Sequence, residues 1–151
     1  MNYLSYAILL LASALIISCG HHQTEEKQWS SPAHNKDPNF VVGKTWQWVE
    51  TVTPIQTVKA TTPANYHFTL SGDGKVQYMF DCNRGNGSYT IAEGRLSFSP
   101  AVSTRMACRP NSQASEYQRD IERIKSFFIK EGDLYLEMPV DGGTMRFVTI
   151  P

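Results

Sequence analysis

The chain has 151 residues, of which 41% are hydrophobic and 19% charged, with 14 Lys and Arg balancing 14 Asp and Glu. That length suits one domain, and the composition is that of a globular chain rather than a disordered one. A net charge of zero argues against nucleic acid as a partner, because phosphate binding needs a clear excess of Lys and Arg on some face.

The chain opens on an apolar run from Ala7 to Ile17, broken only by Ser13. It is too short to span a bilayer comfortably and has the length of a signal-peptide core. It ends in Ile16-Ile17-Ser18-Cys19-Gly20, which resembles the lipobox of bacterial lipoproteins. That resemblance implies removal of residues 1–18 and a diacylglyceryl group on the sulfur of Cys19, which becomes the lipid anchor and the membrane contact. Several acyl chains hold a membrane firmly where one binds marginally. Gly20 in place of Asp implies sorting to the outer membrane, with the folded part facing the periplasm. The absence of Lys and Arg before Tyr6 departs from the pattern. The alternative is an uncleaved N-terminal anchor carrying an ordinary cysteine.

Residues 19–39 are polar, contain two prolines and show no period, so they read as a flexible tether with a reach of roughly 25 Å. His21, His22 and His34 lie in it. Histidines in a tail seldom form a defined site, and no metal or other cofactor is expected.

The first strand is predicted over Val41–Thr53, with Trp46 and Trp48 sharing a face, and Pro54 ends it. Residues 55–64 read as a loop or a poor edge strand. Tyr66, Phe68 and Leu70 alternate with polar residues, as do Val76, Tyr78 and Phe80, and Ser71-Gly72-Asp73-Gly74 between them makes a hairpin. His67 falls on the polar face. Arg84-Gly85-Asn86-Gly87 is predicted as a turn and Tyr89-Thr90-Ile91 as a short strand. Leu96 and Phe98 form another. One helix is predicted after Pro110, capped by Ser112 or Ser115, with Ser115 and Gln118 in capping-box spacing. Tyr117, Ile121, Ile124 and Phe128 make its apolar stripe. Strands over Leu134–Met138 and from Met145 onward close the domain. The pattern predicts an α+β, mainly β fold: a curved antiparallel sheet or small barrel of about seven to eight short strands with one helix over an opening or a face.

Three cysteines is an awkward count for an exported protein. Acylation of Cys19 leaves Cys82 and Cys108 as a disulfide pair in an oxidising compartment. The alternative is two buried free thiols. If these cysteines meet, Asp81, Arg84 and Arg105 converge beside them, as a surface ion pair or as an anion-binding site, and the ion pair is the simpler reading.

Several motifs together carry a family resemblance: Gly43-Lys44-Thr45-Trp46, Asp81-Cys82-Asn83-Arg84 followed by Gly87-Ser88-Tyr89, and Ser103-Thr104-Arg105-Met106-Ala107-Cys108. The chain resembles the META domain of HslJ-like bacterial lipoproteins over residues 40–151. The resemblance implies a barrel-like α+β fold in the cell envelope and a link to heat-induced expression and antibiotic tolerance. It supplies no catalytic residues.

No Gly-x-Ser-x-Gly or His-Glu-x-x-His occurs, and no nucleophile, base and orienting group stand together in the sequence. The expectation is therefore a non-enzymatic envelope lipoprotein that binds a protein or cell-wall partner during stress. The alternative is a carrier or sensor holding a small apolar ligand among Trp46, Trp48, Tyr66 and Phe68. Small barrels usually fill their interior with side chains.

Overall fold

The computed structural model describes residues 35–151. The lipobox, Cys19 and the three tether histidines lie outside them.

Ten strands and one helix follow in chain order. They are β1 (Thr45–Val52), β2 (Thr57–Lys59), β3 (Tyr66–Leu70), β4 (Lys75–Phe80), β5 (Asn83–Ala92), β6 (Arg95–Phe98), β7 (Val102–Ser103), α1 (Ala114–Ile121), β8 (Ser126–Lys130), β9 (Asp133–Glu137) and β10 (Thr144–Ile150). Neighbours run β10-β9-β8-β6-β5-β4-β3-β1, and all of these pairings are antiparallel. β1 also pairs with β10, from Thr45↔Ile150 to Val52↔Thr144, and closes the ring. The barrel is therefore an eight-stranded up-and-down ring, mainly β with one helix. Two short strands lie off this ring: β2 on β1, within the stretch expected as a loop or poor edge strand, and β7 on β5, which sequence alone did not show.

Alternation builds the wall. Trp46 and Trp48 on β1, Tyr66, Phe68 and Leu70 on β3, and Val76, Tyr78 and Phe80 on β4 are all buried. Tethering of β1 begins before the strand itself, because Trp46 Nε1 donates to Val41 O at 2.9 Å. Val41 is buried in a turn rather than in the strand, so β1 is shorter at its start than the expected Val41–Thr53.

Antiparallel order gives the ring two rims. The lower rim carries the β3–β4, β5–β6 and β8–β9 turns, and the upper rim the β4–β5 and β9–β10 turns. The chain enters at the lower rim. Asn35 O accepts from Ile129 N–H at 2.8 Å, and the Lys36 side chain lies over Gly94. Asn35 and Lys36, both exposed, thus lie against the barrel within the stretch expected as tether. Helix α1 covers the upper opening, with Tyr117 and Ile121 buried. Among the described residues no helix is long and apolar enough to cross a membrane.

Three expectations need correction. Arg84–Gly87 is not a turn but the start of the ten-residue β5. Gly85 is there for space: a Cβ at that position would stand 2.6 Å from the Phe80 ring and 3.4 Å from Ser103 Cβ. The real turn begins three residues earlier, at Asp81 (φ 57°) and Cys82. The helix is also shorter than its stripe. It ends at Ile121, Ile124 is buried in the following turn, and Phe128 lies on β8, stacked on Tyr135 at 4.8 Å. Lys125 N–H bonds Glu137 O at 2.9 Å, so strand pairing takes over before another helical turn can form. Gln113, not Ser112 or Ser115, is the N-cap, and its side chain makes no cap bond. Its amide instead fastens the helix start to the wall, donating to Lys59 O (2.9 Å) and accepting from Thr61 N–H (2.8 Å).

Candidate functional site

The upper rim concentrates the polar residues singled out by sequence. Asp81 turns the chain between β4 and β5 in a left-handed conformation that Asp tolerates. Its backbone N–H donates to Asn65 O (2.8 Å), and its carboxylate accepts from Asn65 Nδ2 (2.8 Å). Cys82 beside it is disulfide-bonded to Cys108, 26 positions later, with Cα atoms 5.5 Å apart.

The disulfide is one of several fasteners on the segment between β6 and α1. Asn83 is another, which the sequence motif contained but composition did not single out. Its Oδ1 accepts from Met106 N–H (2.7 Å) and from Thr104 Oγ1 (2.9 Å), while its Nδ2 donates to Met106 O (3.1 Å). One side-chain amide therefore pairs with both backbone groups of Met106, as a strand neighbour would. Thr104 completes the set: its Oγ1 accepts from Arg84 N–H (3.1 Å), and its N–H donates to Arg84 O (3.0 Å).

This arrangement overturns the ion pair expected among Asp81, Arg84 and Arg105. The Asp81 carboxylate is engaged by Asn65, and among the described residues no ion pair joins it to either arginine. Arg84 contributes its backbone to the site, and Arg105 is exposed. His67 on the outer wall brings its Nδ1 to 3.1 Å from Ala64 O. Ser88 Oγ bonds Ser99 Oγ at 3.1 Å. Among the described residues no group of three or more His, Cys, Asp or Glu side chains is placed to hold a metal.

The interior is aromatic. Tyr117 descends from α1 to lie 5.4 Å from Trp48, 5.7 Å from Tyr66 and 5.7 Å from Phe80, centroid to centroid. Phe80 stacks on Tyr78 at 5.0 Å, and Phe68 meets Phe98 and Phe147 at 5.7 and 5.2 Å. The four rings proposed as a cavity lining, Trp46, Trp48, Tyr66 and Phe68, are all buried in this cluster. Trp48 Nε1 is satisfied by Thr51 Oγ1 (3.1 Å), and Tyr66 OH accepts from Gln113 N–H (2.9 Å). The Tyr78 and Tyr117 hydroxyls are buried and have no hydrogen-bond partner among the described residues. Burial, with Glu122 nearby, pushes the Tyr78 phenol up; burial, with Tyr78 nearby, does the same for Tyr117.

The rim motifs and the barrel have a counterpart among known proteins. The family model described as META domain matches residues 39–150. The chain belongs to the META domain family. The match spans the barrel, α1 and both cysteine motifs. This META domain is similar to the NMR structure of a protein from Burkholderia xenovorans, with 25% identity and a TM-score of 0.62, covering 82% of this chain and 97% of that one. It is also similar to the crystal structure of a DUF4847 family protein from Bacteroides vulgatus, at 9% identity and a TM-score of 0.57, covering 73% of this chain and 94% of that one. A further NMR structure matches at 19% identity and a TM-score of 0.56, over 74% and 93% of the two chains. The last two likenesses concern the fold alone. A search of curated proteins gives no match.

Proposed function

We propose that this META-domain protein is a non-catalytic binding module of the bacterial envelope. In this reading Cys19 is acylated and holds the chain at the outer membrane, with the barrel in the periplasm. The upper rim engages a protein or cell-wall partner during stress or antibiotic exposure. The filled interior carries the choice of surface binding over cargo carrying, because aromatic rings in mutual contact occupy the space that a bound apolar ligand would need.

Affinity capture of the full chain from envelope extract, with proteins, glycan fragments and lipids identified together, tests the binding reading. A protein or cell-wall fragment is expected, and stoichiometric recovery of an apolar lipid bound in the barrel would refute it. Labelled palmitate should enter the wild type and not Cys19→Ala. Equal labelling of both would remove the anchor.

A further inference from the structure

A closed barrel has no strand edges, and this one adds two, β2 and β7. They are treated differently. The outer edge of β2 is covered: Gln113 Nε2 donates to Lys59 O at 2.9 Å, and Lys59 itself is an exposed charge, a common guard on such an edge. The outer edge of β7 has less cover. Thr104 N–H donates to Arg84 O, so the alternation of an antiparallel ladder turns the N–H and C=O of Ser103 away from β5. Only at Ala101 does a side chain close the edge, where Glu122 Oε1 accepts its N–H at 3.2 Å.

Around this edge the surface has the features of a recognition site. A groove of about 520 Å³ lies between residues 101–105 and the first turns of α1, with Phe80 among the residues lining it. Beside it Val102 is 82% exposed and Met106 60% exposed, two large apolar side chains on a segment with no buried residue. The charge is one-sided. Arg105 lines the groove, and Arg84 and Arg109 line neighbouring surface pockets; all three are exposed, and none is in an ion pair among the described residues. Of the nearby acids, Asp81 is held by Asn65, and Glu122 by Ala101 N–H and Gln118 Nε2. On α1, Asp120 is buried and paired with Arg119, which leaves Glu116 to oppose them.

We propose that β7 and the groove beside it take an extended, acidic segment of a partner protein, which adds as a strand to the free edge of β7. Strand addition uses main-chain hydrogen bonds for affinity and alternate side chains for specificity. Here Ser103 supplies the main-chain groups, Val102 and Met106 the apolar contacts, and the three arginines the preference for Asp and Glu. The proposal rests on the binding reading above and names the partner's chemistry.

Selection of random linear peptides against the full chain, with its disulfide intact, tests it. The recovered peptides should be rich in Asp and Glu alternating with apolar residues. Their binding should shift the amide resonances of residues 101–106 and the start of α1. Arg105→Glu should weaken binding about tenfold, while Lys75→Glu on the lower rim should leave it unchanged. Ser103→Pro should abolish it, and where that variant unfolds Arg105→Glu decides alone. Recovery of no peptides, of neutral or basic ones, or of peptides that footprint elsewhere would overturn the proposal. So would a dimer paired through β7, which would make a second copy the occupant. A partner captured from the envelope on another surface would sink this proposal and leave the binding reading standing; a lipid in the barrel would do the reverse.

Discussion

The barrel wall and the segment from Ser99 to Gln113 are held by different physics. In the wall, inward residues of nearly every strand are buried, and ring meets ring across the interior. From Ser99 through Glu116 no residue is buried at all. That segment stays in place through a disulfide, the Asn83 amide, Thr104 and Gln113. Apolar packing tolerates exchange of similar side chains, whereas a fastener needs its own atoms. This is why the distinctive motifs of the chain, Asp81-Cys82-Asn83-Arg84 and Ser103 to Cys108, sit where the strap is fastened. They read as structural before they read as functional.

Three experiments break or sharpen this contrast. The largest effect is expected in the wall. Trp48→Ala removes a buried ring that packs on Tyr66 and Tyr117, and should cost about 3–5 kcal/mol in urea denaturation. Wall and strap should be lost together, and a strap that kept its amide protection after the barrel melted would show the two to be independent.

Next comes the strap. Replacing both Cys82 and Cys108 by Ser should cost up to about 3.5 kcal/mol in the chain-entropy model. Hydrogen exchange should then rise first over residues 101–112, with the wall still protected. A uniform loss of protection would mean that the bridge braces the barrel itself.

The smallest effect at neutral pH is Tyr117→Phe. The hydroxyl has no hydrogen-bond partner among the described residues, so its removal should change stability by less than about 1 kcal/mol. The same variant matters in alkali. Burial raises the Tyr78 and Tyr117 pKa values, while an unfolded tyrosine ionises near pH 10. Their contribution is whole below about pH 10 and is lost as pH rises above it, because only the unfolded state releases those protons readily. Denaturation followed at rising pH should show a shallower decline for Tyr117→Phe than for wild type, and equal slopes would count against buried, protonated phenols.

The half-buried strands were legible because their alternation records one wet and one dry face. β3, β4 and β9 each bury every second residue, and β1 does so as far as Trp48, after which an irregularity in its pairing with β10 shifts the buried position to Thr51. The first half of β5 escaped, though Tyr89–Ile91 in its second half did not, because two of its inner positions are Gly85 and Gly87, which give no apolar signal and look like a turn. The helix was read too long because Ile124 and Phe128 continue its spacing by chance while the backbone has already turned toward β8. β7 was invisible, since two residues carry no period. At the rim the cysteines were legible by count. The hydrogen-bonding role of Asn83 was not, because an amide's partners are set by tertiary approach and leave no mark on neighbouring residues.

The pairing of β1 with β10 bears on the order of assembly. Trp46 must find Thr149, and Thr45 must find Ile150, so the ring cannot shut until the last strand has been made. Such distant pairing carries a high entropy of closure and favours slow folding. Until then β10's place on β1 stands open, a row of unpaired amides and carbonyls beside the buried-to-be faces of two tryptophans. A chain that stalls before Thr144 would present that row to any strand nearby. The hazard is removed only by completing the barrel.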